Sequence, residues 1–158
     1  MIAAQRNRSI TGVMMLLASV TMLFAAFTSA MVVRRGLSGD WITTPLPAIL
    51  WFNTAVLLSS SLLLRATVGQ ALSFAVRGLG VVFLCGQVEV WRELAAAGMY
   101  LPTNPSASFF YVLTAAHSAH VLGGLFALQF ANRQAAAVYW HFMTGLWIYV
   151  LLLFSIWG

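Results

Sequence analysis

The apolar positions of this chain come in long blocks separated by short polar stretches, rather than as alternating positions or a single helical stripe. Five blocks approach the roughly 20 residues that a helix needs to cross the hydrocarbon core of a bilayer. They run 10–33, 46–64, 71–97, 109–130 and 135–157. The first, fourth and fifth are the clearest. The second carries Pro47, Asn53 and Ser59-Ser60-Ser61, and the third carries Gln87, Glu89, Arg92 and Glu93. Unpaired backbone groups in lipid cost several kcal/mol each, so every block predicts a helix, with its polar members facing other helices. The segments between blocks, 34–45, 65–70, 98–108 and 131–134, leave no room for a soluble domain. The expected fold class is therefore all-α integral membrane: a single domain over 1–158, built as a bundle of five transmembrane helices.

Local signals sharpen the ends. Gly98 reads as a helix stop, and Asn104 followed by Pro105 reads as an N-cap with proline in the first helical turn. Ala18, Met22, Ala26 and Ala30, with Ala25 and Ser29 beside them, lie along one face of the first helix, a spacing that predicts close helix approach there. Gly123-Gly124 predicts the same in the fourth.

Composition agrees with the pattern. Of 158 residues, 61% are hydrophobic and 7% charged, against about 25% charged in a soluble domain. The eight basic residues are all arginine, at 6, 8, 34, 35, 65, 77, 92 and 133, against Asp40, Glu89 and Glu93. They do not cluster on one face, which argues against nucleic acid as a partner. Read as loop charges, Arg6, Arg8, Arg65, Arg77 and Arg133 fall on one side and Arg34, Arg35 and Asp40 on the other. This bias predicts a cytoplasmic N-terminus and an outside C-terminus. The apolar run 12–33 exceeds the core of a secretion signal and reads as a first spanning helix. Cys85 is the only cysteine, so no intrachain disulfide is available.

Candidate chemistry is sparse. His117 and His120 are three apart and so share a face of the fourth helix, and His141 opens the fifth. Hydrogen bonding across helices is the favoured role, with headgroup or water contact and metal ligation as the alternatives. In the third helix Glu89, Arg92 and Glu93, accompanied by Gln87 and Trp91, are ionisable and polar residues of the kind that mark function in a span. The simplest reading is a Glu89–Arg92 ion pair near the outer interface; a proton-accessible carboxylate or a contact with a partner subunit is the alternative. Trp51, Tyr100, Tyr111, Tyr139, Trp140 and Trp157 stand at the ends of spans and read as interfacial anchors. No HExxH, CxxC or phosphate-loop motif is present.

Three stretches, "LPAILWFNTAVLLSSSLLL" at 46–64, "VVFLCGQVEVWRELAAAGMYLPTNPSASFFYVLTAAHSAHVLGG" at 81–124 and "YWHFMTGLWIYVLLL" at 139–153, carry a resemblance. Their W-x-N-T-x-x-L-x-x-S-S, G-Q-x-x-x-W, F-F-Y-x-L-T-x-x-H-x-x-H-V-x-G-G and Y-W-H-F-x-x-x-L-W signatures resemble subunit III of the haem-copper oxidases, most of all the cytochrome c oxidases. The family has a seven-helix form and a five-helix form, and this chain resembles the latter. The resemblance implies a non-catalytic core subunit of a proton-pumping oxidase of aerobic respiration, in a bacterial cytoplasmic (inner) membrane. Such a subunit has subunit I as its main contact and subunit II, with a small subunit IV, in the same complex. It also implies stabilisation of subunit I, support of proton uptake and no cofactor or metal in this chain, with haem and copper in partner subunits and phospholipid as a bound ligand. Gln87, Glu89, Trp91, Arg92, Glu93, His117, His120, Tyr139, Trp140, His141 and Trp147 then become candidate structural, lipid or subunit-contact residues.

The chain departs from the family pattern at several places. Val20 stands where the family often has a buried glutamate, and Thr144 where it often has aspartate; Glu93 matches a family glutamate, whereas Glu89 falls at a commonly apolar position. The two helices absent from the five-helix form make one arm of a lipid cleft in longer relatives. Subunit-III-like partners of quinol oxidase or nitric oxide reductase are the near alternatives; a small transporter or cytochrome-like carrier is the remote one.

Overall fold

The computed structural model describes residues 2–37, 39–66, 70–101, 104–130 and 133–157, with the side chains of 2–9, 66, 70–73 and 130 outside the description. The described residues form five helices: α1 Ile2–Leu37, α2 Ile49–Ala66, α3 Gln70–Ala96, α4 Pro105–Phe130 and α5 Arg133–Trp157. Four of them contain stretches long and apolar enough to cross a membrane, Ile10–Leu37, Phe74–Ala96, Pro105–Gln129 and Arg133–Trp157. The protein is a multi-pass membrane protein.

Helix ends follow local chemistry. At 36 residues, α1 is about 54 Å long at 1.5 Å per residue, so it starts earlier and ends later than the 10–33 block. Gln5, Arg6 and Arg8 are polar but are good helix formers, and do not break it. Helix α2 begins at Ile49 rather than at 46 and has 18 residues, or about 27 Å. Its apolar part, Ile49–Arg65, falls short of the four long spans. Helix α3 ends in a Schellman arrangement: Gly98 has φ 78°, its N–H donates to Ala95 O at 3.0 Å, and Met99 N–H donates to Leu94 O at 3.0 Å. Helix α4 starts one turn before the block at 109, because Asn104 caps it by accepting Ala107 N–H at 2.9 Å.

Helices α2, α3, α4 and α5 form a closed ring, each packing on the next and α5 returning to α2, while α1 packs only on the α4–α5 edge. Ring neighbours are antiparallel, the arrangement of an up-and-down four-helix bundle. Half of the α5 span is buried, against 17% of the α1 span, which makes α5 the central element.

Two expectations about faces change here. The small-residue face of α1 does not pack: Met22 is 75% exposed, and Ala18, Ala25, Ala26, Ser29 and Ala30 are exposed as well. Helix α1 instead presents Leu17, Val20, Phe24 and Met31 to the bundle, so its large side chains fill the junction. Tyr139 and Trp140 are core residues rather than interfacial anchors, at 4% and 1% exposed. Their rings need room, which Gly124 supplies: a Cβ there would stand 2.9 Å from Tyr139 Cε1 and 3.2 Å from Trp140 Cε3. Trp51 and Tyr100 do face outward, and Trp157 is stacked under the Arg35 guanidinium at 5.5 Å.

Candidate functional site

The polar side chains of α5 bind α2 in register. Trp147 Nε1–H donates to Thr54 Oγ1 at 3.0 Å, Trp140 Nε1–H donates to Ser60 Oγ at 3.0 Å, and His141 Nδ1 pairs with Ser61 Oγ at 2.5 Å. As the number rises on α2 it falls on α5, which fixes the two helices as antiparallel partners. Each accepting hydroxyl of the two indole bonds gives its own hydrogen back to its helix, Thr54 to Leu50 O at 2.7 Å and Ser60 to Leu57 O at 2.7 Å. The same unit joins α3 to α4: Trp91 Nε1–H donates to Thr114 Oγ1 at 3.0 Å, and Thr114 back-bonds to Phe110 O at 2.7 Å. An indole is apolar except at one N–H, so an indole–hydroxyl pair satisfies its polar atoms while burying a large ring.

The remaining joints use tyrosines. Tyr139 Oη–H donates to His120 O at 2.8 Å, linking α5 to α4. Thr28 and Tyr149 share a 2.7 Å bond between α1 and α5. Tyr111 donates to Met99 O at 2.9 Å and holds the turn after α3. Ahead of α2, Thr44 meets Ser106 at 2.7 Å, and Arg34 forms a two-pronged pair with Asp40 at 3.0 and 2.8 Å.

The three histidines do not converge. A step of three along a helix turns by about 300°, so His117 and His120 sit some 60° apart and address different neighbours. His117 points into the ring, fully buried, with its ring 5.7 Å from Phe83 and 5.1 Å from Trp147. Neither of its ring nitrogens has a hydrogen-bond partner within the chain, so the expected bond to another helix is not formed directly. His120 faces Phe24 of α1 at 6.1 Å and bonds Ala116 O of its own helix at 2.7 Å. His141 serves the α2–α5 seam. Among the described residues, no three histidine, cysteine, aspartate or glutamate side chains group as a metal site.

The charged residues of α3 lie outside the ring. Glu89 and Arg92 pair at 3.4 Å with side chains 56% and 74% exposed, and Glu93 is exposed beside them. Gln87, one turn before Trp91, is instead completely buried. At the places where the chain departs from the family pattern, Val20 is buried in the core and Thr144 bonds Trp140 O of its own helix at 3.0 Å. Residue type marks Ser60 and Ser61 as polar positions that face other helices but names no partner for them, and it does not mark Thr54 or Thr114; their places opposite Trp140, His141, Trp147 and Trp91 come from the tertiary structure.

Known proteins place this architecture. The chain is 31% identical to a probable cytochrome c oxidase subunit 3 of Nocardia farcinica, over 90% of this chain and 84% of the relative. It is 31% identical to a probable cytochrome c oxidase subunit 3 of Mycobacterium tuberculosis, over 80% of this chain and 74% of that one. The chain belongs to the cytochrome c oxidase subunit III family. A third relative, the cytochrome c oxidase subunit 3 of Thermostichus vulcanus, is 28% identical over 93% of this chain and 86% of its own length. No protein-family model matches. Within this subunit III chain, residues of the signature stretches bind one another: Thr54, Ser60 and Ser61 of the second-helix stretch meet Trp147, Trp140 and His141 of the last.

Proposed function

We propose that the chain acts as the non-catalytic subunit III of a proton-pumping cytochrome c oxidase in a bacterial cytoplasmic membrane. The observation that carries this reading is the use of its polar side chains in helix-to-helix joints within a chain of this family. Such a bundle is a scaffold: it presents a preformed surface and changes neither redox state nor protonation. In this reading subunit I is its main neighbour, subunit II and a small subunit IV belong to the same complex, and haem and copper reside in those partners. Phospholipid fills the grooves left along the bundle.

The exposed large side chains of α1, Met14, Met15, Leu16 and Met22 among them, and the Glu89–Arg92–Glu93 patch of α3, are the surfaces offered to partners and lipid. By covering subunit I, the chain stabilises it in turnover and supports proton delivery to its uptake route.

Affinity purification of the tagged chain from its native membrane tests the reading. Co-purification of haem a together with the electron-spin signal of a binuclear copper centre is the expected result. Non-haem iron in the complex would assign the chain to a nitric oxide reductase instead, and haem without binuclear copper to a quinol oxidase. A stoichiometric Soret band on the isolated polypeptide would overturn the cofactor-free reading.

A further inference from the structure

Among the buried polar side chains that the joints described above leave without a partner, three are completely enclosed. Asn53 of α2, Gln87 of α3 and His117 of α4 are each 0% exposed. Their side-chain atoms, Asn53 Oδ1 and Nδ2, Gln87 Oε1 and Nε2, and His117 Nδ1 and Nε2, have no hydrogen-bond partner in the chain. Buried polar atoms are almost always paired, and in an apolar bundle no bulk solvent is available to do it.

The three residues lie at one level of the ring. Asn53 is packed against Gly86, the residue before Gln87. Gln87 lies one turn from Phe83, whose ring meets His117, and one turn from Trp91, which bonds Thr114. On α4, Thr114 and His117 are neighbouring turns, so Gln87 is opposite the stretch between them. Trp147 closes the level from α5: it touches Phe83 at 4.9 Å and His117 at 5.1 Å and bonds Thr54, the residue after Asn53. All four ring helices thus meet around three unpaired polar side chains, and complete burial in the chain by itself puts them beyond reach of any partner subunit or lipid headgroup.

We propose that Asn53, Gln87 and His117 form a buried water-binding site inside the four-helix ring. Water is the ligand class that fits. It is small enough to enter a closed bundle, it both donates and accepts, and two carboxamides with an imidazole supply donors and acceptors in the mixture that a buried water needs. The site takes up the Asn of the W-x-N-T stretch, the Gln of G-Q-x-x-x-W and the first His of H-x-x-H, and it links α2, α3 and α4 through side chains that have no hydrogen-bond partner within the chain.

Water-edited solid-state NMR on the complex in which the chain is isolated, with this chain isotopically labelled and the bilayer lipids deuterated, tests the proposal. Expected are cross-peaks from water to the side-chain amides of Asn53 and Gln87 and to the His117 ring nitrogens, absent from a buried apolar position well away along α3, such as Val76. Loss of these cross-peaks, or a direct Asn53–Gln87 amide pair without them, overturns it. His117→Phe removes one wall of the site, and the water-to-Gln87 transfer should then fall by roughly twofold or more. Transfer to Gln87 that is unchanged in an assembled variant overturns a shared site. The wild-type spectrum decides the matter even where the variant fails to assemble.

Discussion

Gly86 illustrates how a single atom is placed. A Cβ there would run into the Asn53 carboxamide and lie 2.8 Å from its Cγ, so the glycine is required by approach rather than by backbone angle. Gly86→Ala should destabilise the chain by about 1–3 kcal/mol, as overpacking does. Asn53→Ala in the same molecule should recover part of that loss, because the two residues share the space and their effects cannot add. Denaturation of the purified complex in a double-mutant cycle checks this; strict additivity would mean that the contact is unimportant. Glu89 gives the opposite expectation. Its pair with Arg92 is exposed, and exposed pairs contribute about 0–1 kcal/mol. Glu89→Gln should leave assembly and proton uptake close to wild type, and a marked fall in uptake rate with assembly intact would show that this carboxylate does more than pair.

At the scale of the element, the seam between α2 and α5 is the joint that defines the bundle. Helix α2 is the shortest apolar helix, yet it is held to α5 by three side-chain bonds spread over two turns. Hydrogen bonds between membrane helices average about 0.6 kcal/mol. Trp140→Phe and Ser60→Ala should therefore each cost on the order of 0.5–1.5 kcal/mol. Together they should cost less than their sum, since either alone breaks the same bond. Unfolding in a denaturing detergent series measures it, and a coupling of zero would remove the bond from the account. Helix ends behaved differently from helix faces. Gly98 and Asn104 announce the end of α3 and the start of α4 in the sequence, because backbone angle and capping are set within a few residues.

For the whole molecule, the arginine distribution predicts the N-terminus inside and the C-terminus outside, which requires α2 to cross as well. Alkaline phosphatase fused after Gly158 should be active and a fluorescent protein fused there dark; the reverse pattern would overturn the C-out orientation, and a second fusion in the segment between α1 and α2 would then tell an inverted bundle from an α2 that does not cross. The ring α2–α5 with α1 on one edge also predicts that partner contacts gather on α1, whose span is mostly exposed.

Hydropathy blocks, caps and signature stretches determined helix number, membrane placement and family from the sequence, because each depends on local composition or on a short contiguous pattern. Which face of each helix points inward was decided only by the tertiary structure. In lipid both faces of a helix are apolar, so hydropathy does not separate core from surface. That is why the small-residue face of α1 is exposed, Tyr139 and Trp140 are buried, and His117 and His120 part company. The neighbours that a long-range fold brings opposite each side chain, an indole against a hydroxyl or a carboxamide against a glycine, settle those roles.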